Sequence, residues 1–153
     1  MYNRLVVPLD GSPLAEKALP HAIAQAERFG AEMILLRVVE PVIHVAGMSL
    51  RDLDRIRQRA SALAEEYLQR VASDIRERGI PVQTRIVYGP APVGIAQFAE
   101  SNQADLVVMA TGGRSGVRRW LKDSVDDRIV RRATAPVFLV RIWDEDFHTV
   151  FHS

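Results

Sequence analysis

Short apolar runs alternate with segments of helical periodicity along the whole chain, and this alternation limits the fold more than any other feature. The apolar runs cover residues 5–9, 33–39, 82–88, 105–110 and 137–141. Alternation of strands and helices produces a parallel sheet with helices on both faces, and right-handed crossovers restrict its topology. The sequence therefore predicts an α/β fold: a single doubly wound, five-stranded parallel sheet. The third run alternates apolar and polar residues, which predicts a strand near an edge.

Helix boundaries are marked by capping residues. Ser12 and Pro13 begin a helix predicted to run unbroken to Gly30, with Glu16 assisting the cap. Further helices are predicted from residue 50 to Gly79, over 93–101 and over 125–133. The inner face of the longest is predicted to be Leu50, Leu53, Ile56, Ala60, Leu63, Tyr67, Val71 and Ile75.

Composition excludes several classes of protein. The 153 residues suit one domain, predicted as 1–142 with a polar, aromatic tail at 143–153. A net charge of +1 favours neither nucleic acid nor membrane as a partner. The absence of cysteine excludes disulfides, thiolate zinc sites and a cysteine nucleophile. With no apolar stretch long enough to span a bilayer or to act as a signal sequence, we expect a cytoplasmic protein.

The fold class indicates where a ligand would bind. In open α/β sheets, ligands bind beyond the carboxyl ends of the strands, where the strand order reverses. This rule selects the ends of the first, second and fourth strands. Asp10 follows the first strand and has two interpretations: it binds a ribose hydroxyl or a metal-bound phosphate, or it bonds backbone N–H groups at the helix entry.

The loop after the fourth strand is rich in glycine and arginine. Gly112, Gly113 and Gly116 would let the backbone approach an anion, and Ser124 begins the next helix. One hypothesis is therefore a phosphate site made of main-chain amides, with charge from Arg114. The alternative is that these glycines are turn formers and that Ser124 is an N-cap. The loop matches neither the P-loop nor the dinucleotide-binding fingerprint.

Five segments in the right order resemble the universal stress protein family over nearly the whole chain. They are Leu5–Ser12 with Ala15–Leu19, Leu35–Pro41, Ala104–Thr111, Gly113–Gly116 and Ala135–Val140. The second segment departs from the family at Arg37, where histidine is more usual. The resemblance implies a Rossmann-like sheet, similar to that of adenine nucleotide α-hydrolases, and a homodimer joined through the last strand.

The family has a branch that binds ATP and a branch that does not, and resemblance to the first implies an ATP site, with Mg²⁺ accompanying the nucleotide. In the ATP-binding branch a glycine motif holds the phosphates; here its four positions are Ala110, Gly113, Asp123 and Ser124, of which the first and third depart from glycine. The implied ligand shell places Asp10 at the sugar, the Val38 backbone at adenine, and the loop at the phosphates. The full set of candidate site residues is Pro8, Leu9, Asp10, Val38, Met109, Ala110, Gly113, Arg114, Ser115, Gly116, Asp123, Ser124 and Val125.

Asp123 opposes nucleotide binding, since a carboxylate beside the phosphates costs about 1 kcal/mol or more at an effective dielectric constant near 20. Two functions therefore remain open: a dimeric stress-response module that binds ATP, and a protein of the same fold that binds no nucleotide and acts through protein–protein contacts. The sequence contains no serine-hydrolase elbow and no cluster of metal-ligating residues. We therefore expect no enzyme beyond a slow ATPase, no catalytic residue and no protein-bound metal site.

Overall fold

The computed structural model describes residues 1–40, 46–111 and 133–142, which form one sheet and the helices packed on it. In chain order the elements are β1 (Arg4–Pro8), α1 (Pro13–Glu16), α2 (Leu19–Phe29), β2 (Glu32–Val39), α3 (Leu50–Arg76), β3 (Val82–Tyr88), α4 (Ala91–Ser101), β4 (Leu106–Thr111) and β5 (Val137–Arg141). None of the helices in these ranges is long and apolar enough to cross a membrane.

The five strands form one parallel sheet in the order β3-β2-β1-β4-β5. From β1, the order runs through β2 to β3 on one side and through β4 to β5 on the other. This confirms the predicted doubly wound sheet and the predicted edge position of β3; β5 lies at the other edge. The reversal of strand order falls between β1 and β4.

Strand β1 is buried on both faces. Leu5, Val7 and Leu9 belong to a core that also contains Leu68 of α3, whereas Val6 belongs to the opposite core with Ile95 of α4. A central strand that contributes to two cores reads as a continuous apolar run, as this one does. Helices therefore cover both faces of the sheet, as predicted.

The prediction of one unbroken helix from residue 13 to Gly30 is wrong. The helix stops at Glu16 and α2 starts at Leu19, with Pro20 in its first turn. The Pro20 ring would clash with the Glu16 carbonyl in a continuous helix, and its nitrogen has no hydrogen to donate. The chain instead makes a tight turn at Lys17 and Ala18. Gly30 ends α2 with φ of 63°, as predicted.

The predicted inner face of α3 is only partly correct. Its second half packs on the sheet through Leu68, Ala72 and Ile75, but Leu50 is 81% exposed and Leu63 is 55% exposed. Length explains the difference: 27 residues of helix span about 40 Å, whereas the eight residues of β2 span about 26 Å. The first two turns of α3, which include Leu50, therefore extend beyond the carboxyl edge of the sheet. Leu63 lies beside the sheet and is exposed because it falls outside the buried line of the helix, which is Ala64, Leu68, Ala72 and Ile75.

The start of α4 also differs from the prediction. The helix begins at Ala91 rather than at residue 93, because Pro92 suits the first turn of a helix and does not prolong the preceding turn. Its Gly94 lies against the Val38 side chain, where an added Cβ would meet a methyl carbon at 3.3 Å. The close approach of α4 to β2 depends on this glycine.

At the amino edge of the sheet, Asp105 ties β1 to β4. Its Oδ2 accepts hydrogen bonds from the N–H groups of Asn3 at 2.8 Å and Arg4 at 2.9 Å. The Asp105 N–H in turn donates to the Arg4 carbonyl at 2.9 Å. Asp105 was predicted as part of the fourth strand; it lies just before β4 and fixes where β1 begins.

We expect Asp105→Ala to lower the free energy of unfolding by about 2 kcal/mol, because two N–H groups lose a charged acceptor. Urea denaturation measures this change. Asp74 lies on the exposed face of α3, and Asp74→Ala removes a carboxylate that makes none of these bonds. It should change the free energy of unfolding by less than about 0.5 kcal/mol. Equal effects of the two substitutions would contradict the assigned role.

Candidate functional site

The carboxyl ends of β2, β1 and β4 are neighbours at one edge of the sheet. Pro8 is opposite Leu36 in the β1–β2 register, and the Leu9 N–H extends the pairing to the Leu36 carbonyl at 2.8 Å. On the other side β1 pairs with β4. Because all these strands are parallel, the chain leaves them toward the same side at the point where the strand order reverses. This is where ligands bind in open α/β sheets.

Most of the described candidate residues have buried side chains. Leu9 and Met109 are at most 1% exposed, Val38 is 4% exposed, and Pro8 is also buried. A ligand at this edge would therefore meet main-chain atoms at these positions. Asp10 differs from them because its carboxylate, at the end of β1, is partly exposed.

The side chain of Ala110 also points into the protein core. Ala110 is 4% exposed and packs in the same cluster as Leu5, Val108 and Val140. Its methyl group occupies the core rather than the crevice. The position where the family's motif has glycine is thus a core position in this chain.

Asp10 is held by the turn that begins α1. Gly11 has φ of +86°, a left-handed conformation that glycine adopts without strain. This turn brings the N–H and the hydroxyl of Ser12 to the Asp10 Oδ1, at 2.8 and 2.5 Å. Ser12 caps α1 as predicted, and Asp10 accepts the two hydrogen bonds that Ser12 donates. Glu16 was predicted to assist the cap, but it takes no part in the hydrogen bonds described for this turn.

Tyr67 is a residue at this site that sequence reasoning placed in the apolar stripe of α3. Its ring packs against the core, and its hydroxyl oxygen is buried near the Glu16 carboxylate, without a well-formed hydrogen bond to any described residue. Burial, followed by the nearby carboxylates of Glu16 and Asp10, raises its pKa from 10 to about 12, and Arg37 acts in the opposite direction. The phenol therefore stays neutral beside two carboxylates and one guanidinium.

This shift predicts a loss of stability at alkaline pH. The pKa of Tyr67 rises from 10 to about 12 on folding, so folding favours its neutral form. The contribution is fully present below pH 10 and is lost as the pH rises toward 12. The difference in free energy of unfolding between the wild type and Tyr67→Phe should therefore be constant up to pH 9 and fall above pH 10.

Chemical denaturation from pH 7 to 11.5 measures this difference. Tyr88→Phe is the matched control, because it removes a phenol whose hydroxyl lies 2.5 Å from the Ser61 hydroxyl and leaves Tyr67 in place. Tyr88→Phe should show the same fall in free energy of unfolding above pH 10 as the wild type. A fall of equal size in Tyr67→Phe would show that groups other than Tyr67 cause it.

A cleft of about 410 Å³ opens at the carboxyl ends of β2 and β3, beside the overhanging start of α3. Its lining residues are Val39, Glu40, Leu50, Leu53, Asp54, Arg57, Tyr88 and Gly89. The Arg57 guanidinium stacks 4.4 Å from the centre of the Tyr88 ring. The volume lies in the range of small-molecule sites, and Val39 adjoins the strand position predicted to hold adenine. Periodicity alone could not reveal this cleft, because it depends on how far α3 overhangs the sheet.

The predicted phosphate-binding part of the site lies outside the described residues. It comprises Gly113, Arg114, Ser115, Gly116, Asp123, Ser124 and Val125. Among the residues that are described, no group of three or more histidine, aspartate or glutamate side chains could hold a metal ion.

Comparison with known proteins identifies the family. The model of the universal stress protein family matches residues 1–141. A universal stress protein of Methanocaldococcus jannaschii is 33% identical over 141 residues, which cover 92% of this chain and 83% of that protein. The chain belongs to the universal stress protein family. Among solved structures, universal stress protein UspA from Lactobacillus plantarum has a TM-score of 0.78 at 23% identity, covering 92% of this chain and 98% of the other.

Two further universal stress protein structures contain adenine nucleotides. One, in complex with cAMP, has a TM-score of 0.64 at 23% identity and covers 92% of this chain and 97% of the other. The second, from Archaeoglobus fulgidus in complex with dAMP, has a TM-score of 0.57 at 20% identity and covers 91% and 98%. Their likeness to this universal stress protein extends to the doubly wound fold.

Proposed function

We propose that this universal stress protein is a dimeric stress-response module that binds an adenine nucleotide, ATP, at the carboxyl edge of its sheet. The observation that carries the proposal is the position of Asp10 where the strand order reverses, with one carboxylate oxygen engaged and the other without a bond from the described residues. Asp10 would take the sugar, the Val38 backbone the adenine, and the loop after β4 the phosphates.

Two features of the chain support this assignment. Ala110 keeps its methyl group in the core, so its departure from the family's glycine does not obstruct the crevice. The described residues at the strand ends offer main-chain groups and a carboxylate, which suit a base and a sugar. The complexes with cAMP and dAMP show that related proteins of this fold accept adenine nucleotides. Mg²⁺ would enter with the triphosphate and neutralise part of its charge.

The protein would act by binding rather than by turnover. The described residues at the edge include no arrangement of nucleophile and base, and the nucleotide would instead alter the contacts the protein makes with a partner. Hydrolysis, if any occurs, would be slow. The opposing charge of Asp123 favours the second candidate, a protein of the same fold that binds no nucleotide and acts through its surface.

Equilibrium dialysis with labelled ATP separates the two candidates. We expect saturable binding by the wild type, strengthened severalfold in Asp123→Asn because removing a carboxylate near the phosphates lowers the repulsion. Asp123→Gly should strengthen it at least as much, since it also restores the backbone freedom of glycine. Absence of binding at millimolar ATP in all three proteins would support the nucleotide-free alternative.

We also propose a homodimer through β5. This strand is at one edge of the sheet, and exposed edges pair readily with other chains. Its Phe138 is 37% exposed, and its ring lies 5.8 Å from that of His21 on α2. The two side chains would form part of a surface related to itself by a two-fold axis.

Phe138→Lys should convert the dimer to a monomer, because it places a charge within that surface. Sedimentation velocity over a range of concentrations measures the change. Tyr88→Lys alters an exposed aromatic residue on the opposite edge strand and should leave the dimer intact. A wild type that sediments as a monomer at every concentration would contradict the proposal.

A further inference from the structure

Ser12 makes two hydrogen bonds to a single oxygen of Asp10. Its backbone N–H and its hydroxyl both donate to Oδ1, at 2.8 and 2.5 Å. The Ser12 Oγ accepts a third hydrogen bond from the Ala15 N–H at 3.2 Å. Since Oγ is an acceptor on the α1 side, its own proton is directed to Asp10.

These bonds fix the orientation of the Asp10 carboxylate. Two donors at Oδ1 prevent the group from rotating freely about its last torsion, which is otherwise broad for aspartate. Oδ1 is therefore occupied, and Oδ2 receives no hydrogen bond from the residues in 1–40, 46–111 and 133–142. The two interpretations of Asp10 are compatible, because one oxygen serves the helix entry and the other stays available.

We propose that Ser12 is the positioning residue of the sugar-binding carboxylate: its two donors hold Asp10 so that Oδ2 meets a hydroxyl of the bound ribose. This inference rests on the proposed nucleotide function and deepens it. A hydroxyl that donates to a fixed carboxylate gains a charge-assisted hydrogen bond. Without the Ser12 hydroxyl only the backbone N–H would hold Oδ1. The carboxylate would then be less firmly oriented, and the ribose would meet a less preorganised acceptor.

The local structure provides a matched control. Ser49 caps α3 as Ser12 caps α1: its hydroxyl donates to Asp52 at 2.9 Å and accepts from the Asp52 N–H at 3.1 Å. Ser49→Ala therefore removes the same kind of cap at a helix that begins beyond the β2 connection. A purely structural effect of losing an N-cap should appear equally in both variants.

The experiment compares the affinity for ATP with the affinities for 2′-deoxy-ATP and 3′-deoxy-ATP. We define discrimination as the ratio of dissociation constants between the more weakly bound deoxy analogue and ATP. We expect about tenfold discrimination in the wild type, as one charge-assisted hydrogen bond would give. Ser12→Ala should reduce it to about twofold or less, mainly through weaker ATP binding, since the deoxy analogue has no such bond to lose. Ser12→Thr, which keeps a hydroxyl, should restore it, and Ser49→Ala should leave it at the wild-type value.

Thermal unfolding is measured in parallel, and both alanine variants should show a similar small decrease in midpoint. If Ser12→Ala does not fold, Ser12→Gly takes its place, because glycine is tolerated at N-caps. Wild-type discrimination in the folded Ser12 variant, or an equal loss in Ser49→Ala, would overturn the inference. ATP binding by the wild type without discrimination would also overturn the inference, but the proposed function would stand. Absence of any nucleotide binding by the wild type would instead remove both.

Discussion

The burial of β1 on both faces is the constraint on which the rest of the structure depends. Leu5, Val6 and Val7 have no exposed surface, and the strand is paired on both sides by β2 and β4. Burying three such side chains contributes several kcal/mol, at roughly 1.5–3 kcal/mol for each. The register of β1 is therefore firmly set, and a shift by one residue would exchange the side chains between its two cores. Asp10 takes its position from this register, since it is the first residue beyond Leu9 to reach solvent.

The fold could be predicted from the sequence because its signals are local and repeated. Leu5–Leu9 and the run at 106–109 are too apolar and too short for anything but buried strands, and Ser12 and Gly30 mark helix ends by well-defined backbone chemistry. The doubly wound topology followed from the handedness of crossovers, whereas the full order of the strands is known from the structure. These inferences need no knowledge of how the elements pack, and they agree with the structure.

The errors arose where tertiary geometry or a single residue overrides periodicity. The spacing of Ala15, Ala18 and Ala22 suits one helix, but Pro20 removes a hydrogen bond in its middle, and the helix breaks. On α3 the apolar spacing is real, yet Leu50 is exposed because the helix is longer than the strands beneath it, and Leu63 is exposed because it lies outside the buried line of the helix. The buried phenol of Tyr67 was likewise hidden within that stripe, since spacing does not show which neighbours carry charge.

Sequence reasoning could place the candidate residues at one edge of the sheet, but it could not show the state of their side chains. The carboxyl edge of β1, β2 and β4 followed from fold class, whereas the state of each side chain depended on packing. Ala110 looked like a defect in a glycine motif, yet its methyl group lies in the core with Leu5.

In the proposed nucleotide site, recognition would therefore depend on main-chain atoms and on a few charges. Side chains buried at Leu9, Val38 and Met109 can vary in size only as the core allows, and such changes leave the ligand-facing backbone in place. A change of charge acts directly on a nucleotide, which carries several negative charges of its own. Among the departures from the family's motif, the carboxylate at Asp123 would therefore influence nucleotide binding in the proposed site far more than the methyl group at Ala110.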